Sequence, residues 1–178
     1  MVRLESIYRC RSDLFLIVME FKLVEMTVPE ESNIILGQSH FIKSVEDIYE
    51  ALAGSAAGIK FGVAFCEASG ECLVRFDGND EELKLTAAEN AFKLGCGHSF
   101  NIVMRGAYPI NVMTQLKAVP EVCTIYAATA NPLQVVVAET ETGRGILGVI
   151  DGSKPKGLED KEGVKWRKDF LRMIGYKT

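Results

Sequence analysis

Apolar residues along this chain fall into short blocks, and each block runs into a cluster of small and polar residues. Residues 34–36 lead into Gly37-Gln38-Ser39-His40, and residues 61–65 into Cys66-Glu67-Ala68-Ser69-Gly70. Residues 124–128 lead into Thr129-Ala130-Asn131-Pro132, and residues 146–150 into Asp151-Gly152. A short apolar run bounded by turn formers reads as a buried strand. In open α/β sheets, ligands bind in the crevice beyond the strand ends. The four clusters together therefore predict one shared polar site. Gly, Ser, Asn and Asp are also ordinary turn residues; the His and the Glu directly after strands favour the site.

The remaining pattern fills in the elements. Residues 20–28 alternate charged with apolar side chains, the mark of a half-buried strand, and Pro29 ends it. Ser44 reads as an N-cap ahead of Glu46 and Asp47, and Val45, Ile48, Tyr49 and Leu52 follow at helical spacing. That helix should stop near Gly54 or Gly58. Residues 60–65 and 72–76 predict two strands paired around Ala68-Ser69-Gly70. Asn79 or Asp80 caps a helix from Glu81 to about Leu94, which Gly95-Cys96-Gly97 terminates. A strand over 99–104 precedes a helix that Pro109 opens and that runs through Lys117. Strands follow over 122–128, 133–139 and 145–150, the last two forming a hairpin about Thr140-Glu141-Thr142-Gly143. A charged closing helix over 159–174 should turn Val164, Phe170, Leu171 and Ile174 inward. Helices that alternate with strands and hairpins predict the α/β class, a mixed β-sheet with helices covering its faces.

The length of 178 residues is most simply one domain with a sizeable core. A net charge of −4, from 20 basic and 24 acidic residues, lacks the footprint of a nucleic-acid binder. The five cysteines are odd in number and form no Cys-x-x-Cys pair, so neither a disulfide framework nor a zinc site is expected. Reduced thiols in a cytoplasmic protein are the expectation. The apolar stretch 14–19 is far too short to span a bilayer, and no signal-peptide cleavage site follows, so no membrane partner is expected. Residues 1–18 read as an N-terminal extension ahead of a domain over 19–178.

Neither a phosphate loop nor a dinucleotide-binding glycine fingerprint is present. The two histidines, His40 and His98, stand in no metal-ligand spacing, and no protein metal site is expected. Each is framed by small residues that would let a ligand approach the ring, so either is a candidate nucleophile. Glu67 could hold a ribose hydroxyl, orient a histidine or bind magnesium. Cys66, beside that carboxylate, reads as a packing residue. Arg144 stands between two glycines, a setting that suits phosphate recognition and equally a solvated hairpin. Lys43, Arg75 and Arg105 are weaker phosphate candidates. Asn111, in the first turn of its helix, could read a base or sugar, or cap.

Taken together, several strings resemble the adenosine-specific kinase family across about residues 20–177. They are Gly37-Gln38-Ser39-His40-Phe41-Ile42-Lys43, Lys60-Phe61-Gly62, Phe65-Cys66-Glu67-Ala68-Ser69-Gly70, Pro109-Ile110-Asn111-Val112, Val119-Pro120-Glu121-Val122, Ala128-Thr129-Ala130-Asn131-Pro132, Gly143-Arg144-Gly145 and Val149-Ile150-Asp151-Gly152. The resemblance implies a single three-layer α/β domain assembled as a homotrimer or a multiple of trimers. It further implies binding of adenosine or its phosphates (AMP, ADP, ATP) and phosphorylation on a histidine, His40 or His98. On this reading Glu67 is an orienter or metal ligand, and Arg144 and Lys43 meet phosphate. Gln38, Ser39, Ser69, Asn111, Asn131 and Asp151 complete the nucleotide contacts. Magnesium is a candidate companion, because phosphoryl transfer calls for charge neutralisation. A non-catalytic adenine-nucleotide sensor is the alternative, with turnover as the discriminating observation.

Overall fold

The computed structural model describes the backbone of residues 2–10 and 13–178 and the side chains of residues 18–178. The segment read as an extension, residues 1–18, therefore lies almost wholly outside the described side chains. In chain order the elements are β1 (Val2–Cys10), β2 (Asp13–Met26), β3 (Asn33–Ser39), α1 (Ser44–Ala53), β4 (Lys60–Cys66), β5 (Val74–Gly78), α2 (Glu81–Leu94), β6 (Ser99–Arg105), α3 (Pro109–Ala118), β7 (Val122–Thr129), β8 (Leu133–Thr140), β9 (Gly143–Asp151) and α4 (Lys161–Met173).

The α/β class holds, with a different sheet arrangement from the one the sequence suggested. In place of one mixed sheet, the strands divide into a five-stranded sheet ordered β5-β4-β6-β3-β7 and a four-stranded sheet ordered β1-β2-β8-β9. Pairing within both is antiparallel. Short turns such as Thr140–Gly143 favour this, because only antiparallel neighbours can be joined so tightly.

Three layers result. The two-residue alternation of a strand sends side chains to opposite faces. Phe61, Val63 and Phe65 of β4, with Ile35, Phe100, Ile102 and Met104, face α1 and α3 and meet Ile48, Leu52, Val112 and Leu116. The opposite face carries Ile34, Leu36, Ala64, Cys66 and Val103, which meet Leu83, Ala87, Ala91 and Leu94 of α2 and Val24, Val135 and Val137 of the smaller sheet. The β4 side chains on that second face are small, and α2 lies close: a Cβ on Gly62 would stand 2.3 Å from the Leu83 carbonyl oxygen.

Helix ends follow sequence chemistry with one exception. Asp80 caps α2 by accepting from the Leu83 N–H, and Gly95 closes it in the left-handed conformation at φ 62°. Lys43, not Ser44, is the N-cap of α1; Ser44 is its first residue, and its buried hydroxyl donates to the Phe41 carbonyl at 2.5 Å. The Ser44 side chain has turned back to the preceding turn, so it is not available to the free amides of the helix. The apolar stripe expected to face inward on the closing helix is not covered within one chain: α4 has no buried residue.

Candidate functional site

Antiparallel strands alternate in direction, so the polar clusters that follow the apolar blocks cannot all meet. β3 and β4 both pair antiparallel with β6, which places Gln38-Ser39-His40 and Glu67 at the same end as His98. β7 runs opposite to β3, so Thr129 and Asn131 emerge at the other end, where Asp151 also lies. There Asp151 Oδ1 accepts from the Thr129 hydroxyl at 2.8 Å and from Asn131 Nδ2 at 2.9 Å. Asn111 is at that far end too, where its side chain accepts from the Tyr108 N–H and so caps the start of α3. Within one chain, Asn111, Asn131 and Asp151 are thus apart from the histidines.

At the histidine end the backbone is tightly knitted. The His98 N–H donates to the Cys66 carbonyl at 2.8 Å, and the Ser39 N–H donates to the His98 carbonyl at 2.9 Å. His98 takes a left-handed conformation at φ 62°, a strained choice for a residue with a Cβ. Its ring stacks on Phe65 with centroids 5.9 Å apart. His40, one residue past β3, is exposed. Gln38 Oε1 accepts from the Tyr126 hydroxyl at 2.8 Å. Ser69 is exposed on the turn between β4 and β5.

Charges at this end are largely paired. Both Glu67 oxygens are engaged, one by Arg75 Nε and the other by the Leu73 N–H, each at 2.9 Å. Arg75, with help from that amide, holds the Glu67 carboxyl below its usual range. Lys43 Nζ lies 2.6 Å from Asp47 and 2.8 Å from Glu121, and these carboxylates push its pKa up. Arg144 Nε pairs with Glu139, while Nη1 donates to the Lys93 and Leu94 carbonyls at 3.2 Å, capping the C-terminus of α2. Its Nη2 has no hydrogen-bond partner among the described residues.

A cavity of about 700 Å³ opens between the C-terminus of α2, the turn after β4 and the β8–β9 hairpin. Glu67 and Arg144 line it, with Cys72, Phe92, Thr140 and four glycines: Gly95, Gly97, Gly143 and Gly145. Among the described residues, no group of three His, Cys, Asp or Glu side chains is placed to hold a metal ion. Each oxygen of Glu67 already accepts one hydrogen bond, so a magnesium ion there would share the carboxylate with Arg75 and the Leu73 N–H. Of the four described cysteines, Cys66 and Cys96 are buried and Cys72 and Cys123 exposed. Burial raises both buried thiols, Cys96 to about 11 with Cys66 contributing, in keeping with a packing role.

Two features escaped the sequence reading. Glu121 is a buried carboxylate, 5% exposed, immediately before β7. Its Oε2 and the Ser39 Oγ are buried without a hydrogen-bond partner among the described residues. Glu121 precedes its strand, so a pattern of polar clusters that follow apolar runs does not reach it. Phe92 was missed although it is an aromatic residue outside the apolar stripe of α2 formed by Leu83, Ala87, Ala91 and Leu94, a signal legible in the sequence.

The architecture is thus a three-layer α/β domain with a glycine-lined cavity at the end where both histidines stand. The chain belongs to the adenosine-specific kinase family, whose model matches residues 24–177. Among solved structures, it is similar to the PH1918 protein from Pyrococcus horikoshii OT3, at 45% sequence identity and a TM-score of 0.86. That match covers 90% of this chain and 99% of the other. Among curated proteins, no sequence matches significantly.

Proposed function

We propose that the protein is an adenosine-directed phosphotransferase that binds adenosine or its phosphates in the glycine-lined cavity and carries a phosphoryl group on a histidine. The observation that carries this reading is that His40 and His98 stand at the same end of the five-stranded sheet as the cavity that Arg144 lines, although neither histidine is itself among the lining residues. In the transfer, an imidazole nitrogen lone pair attacks the terminal phosphorus of ATP. A P–N bond forms, the bond from phosphorus to the bridging oxygen breaks, and ADP leaves with that electron pair. Arg144 Nη2 is the donor available to the phosphate oxygens, whereas Lys43 and Arg75 are each already held by two carboxylates.

The test has two arms. Calorimetry with paired adenine and guanine ligands should give tighter binding for adenosine, AMP and ADP; equal affinities remove the adenine reading. Labelling with γ-phosphate-labelled ATP should give an acid-labile, base-stable adduct that is lost in one of the variants His40→Ala and His98→Ala. Labelling retained in both ends the histidine-carrier mechanism.

A specific observation favours a second reading, a non-catalytic adenine-nucleotide sensor: nearly every charge around the cavity is already paired, as expected of a binding site. Sustained phosphate transfer from ATP decides for the enzyme, and saturable binding without turnover for the sensor. The uncovered stripe on α4 supports assembly as a homotrimer or a multiple of trimers. No helix among the described residues is long and apolar enough to cross a membrane. The exposed thiols of Cys72 and Cys123 fit a reducing compartment, which supports a cytoplasmic location.

A further inference from the structure

Phe92 is 81% exposed, the most exposed of the described aromatic side chains. It sits in the last turn of α2, one residue round from the buried Ala91, and is the one aromatic among the residues that line the cavity. Leaving a phenyl ring in water forfeits the gain of burial, which for a full Phe side chain is among the largest of any residue. The core does not call for it: Leu83, Ala87, Ala91 and Leu94 already complete the buried face of α2. Around it the lining is small. Ala68, Ala91, Ala138 and the four glycines leave backbone surface bare, and an added Cβ on Gly143 or Gly145 would meet nothing within 4 Å. Arg144 lies across Gly95, with Nη1 3.4 Å from the Cβ position of that glycine, and Thr140 and Thr142 bring hydroxyls to the rim. A largely exposed ring at the cavity wall, a bare peptide surface and a guanidinium with a free nitrogen together suit a flat heteroaromatic group joined to a polar tail.

We propose that Phe92 is the stacking platform for the adenine ring of a ligand seated in this cavity. The proposal rests on the adenosine reading above and adds a residue and an orientation to it. The base lies against Phe92 and the glycine-rich turns, and the ribose and any phosphate point towards the threonines and Arg144. Stacking on an aromatic face tolerates any base, so Phe92 supplies affinity, and the choice of adenine falls to hydrogen-bonding groups around the ring edge.

Cys72 lines the same cavity and is exposed, whereas Cys123 is exposed and does not line it, so the chain carries its own reporter and control. Adenosine is titrated into the wild-type protein and into the Phe92→Tyr, Phe92→Leu and Phe92→Ala variants. Alkylation of Cys72 and Cys123 by iodoacetamide is then followed peptide by peptide, with and without saturating adenosine. The expected result is affinity close to wild type for Phe92→Tyr, a several-fold loss for Phe92→Leu and a loss of about tenfold or more for Phe92→Ala. Adenosine should slow alkylation at Cys72 and leave Cys123 unchanged. Wild-type binding without protection of Cys72 would place the ligand elsewhere and overturn the proposal. So would protection of Cys72 with unaltered affinity in Phe92→Ala. A Phe92→Ala variant that changes oligomeric state while adenosine protects Cys72 at wild-type concentrations would assign the ring to a contact between copies, which also overturns it. A wild-type protein that binds no adenosine brings down the parent reading and this one together.

Discussion

Arg144 is a strut with one nitrogen to spare. Nε and Nη1 are committed to Glu139 and to the last carbonyls of α2, leaving Nη2 for an incoming oxygen. Arg144→Ala should therefore lower stability, and it should also weaken ADP more than adenosine, which has no phosphate. A charge-assisted hydrogen bond is worth about 1.5–3 kcal/mol, so ADP affinity should fall by roughly one to two orders of magnitude beyond any fall for adenosine. Calorimetry with both ligands on the folded variant checks this; a matched loss would leave Arg144 with its structural work alone. At this scale the sequence was partly legible. An arginine between glycines marked a presented guanidinium, but two of its partners, the Lys93 and Leu94 carbonyls, come from the end of α2, about fifty positions away, and no local pattern encodes them. Asn111 was left open between ligand contact and cap, and the cap is what one chain shows. Glu67 and His98 were marked by their positions after strands or between small residues, and those positions do lie together.

Among the elements, boundaries were legible wherever one residue fixes the backbone. Asp80 and Gly95 bracket α2 as capping chemistry requires, and Pro109 opens α3. Strand direction was not legible, because an apolar run reads alike in parallel and antiparallel sheets. That ambiguity is why four clusters expected to converge separate into two pairs. The contact between β4 and α2 gives an element-scale prediction. Gly62→Ala would press a methyl into the Leu83 carbonyl, which is helix backbone and cannot turn aside. Overpacking of this kind costs about 1–3 kcal/mol, to be read as a lower urea midpoint at unchanged slope. Gly148→Ala, with nothing within 4 Å of the added carbon, should be close to neutral in the same experiment. Equal effects at both sites would show that helix and strand do not touch as described.

For the whole molecule, the last helix is the unfinished part. Trp166 is 66% exposed, and its ring lies flat against Phe170, with centroids 5.3 Å apart and planes 6° from parallel. Val164 and Leu171 are half-buried beside it, so an apolar stripe runs the length of α4 with no cover in one chain. Light scattering should find a trimer or a multiple of it for the wild type, and smaller species for Trp166→Glu with Phe170→Glu. A wild type that is monomeric, or a double variant that stays assembled, would refute this use of the helix. The sequence announced an amphipathic helix and could not say which molecule it serves, because periodicity identifies a buried face without naming what buries it.

The Thr129–Asp151–Asn131 cluster acquires a mechanical meaning from its place. Thr129 belongs to the larger sheet and Asp151 closes a strand of the smaller one, so their hydrogen bond stitches the two sheets along one margin, like the spine of a book. At the opposite margin the hairpin tip is latched by Arg144 across the end of α2 and by the lone bridge between Cys96 and Arg144. The two sheets are therefore held to each other at both margins, and the cavity lies beside the latched one.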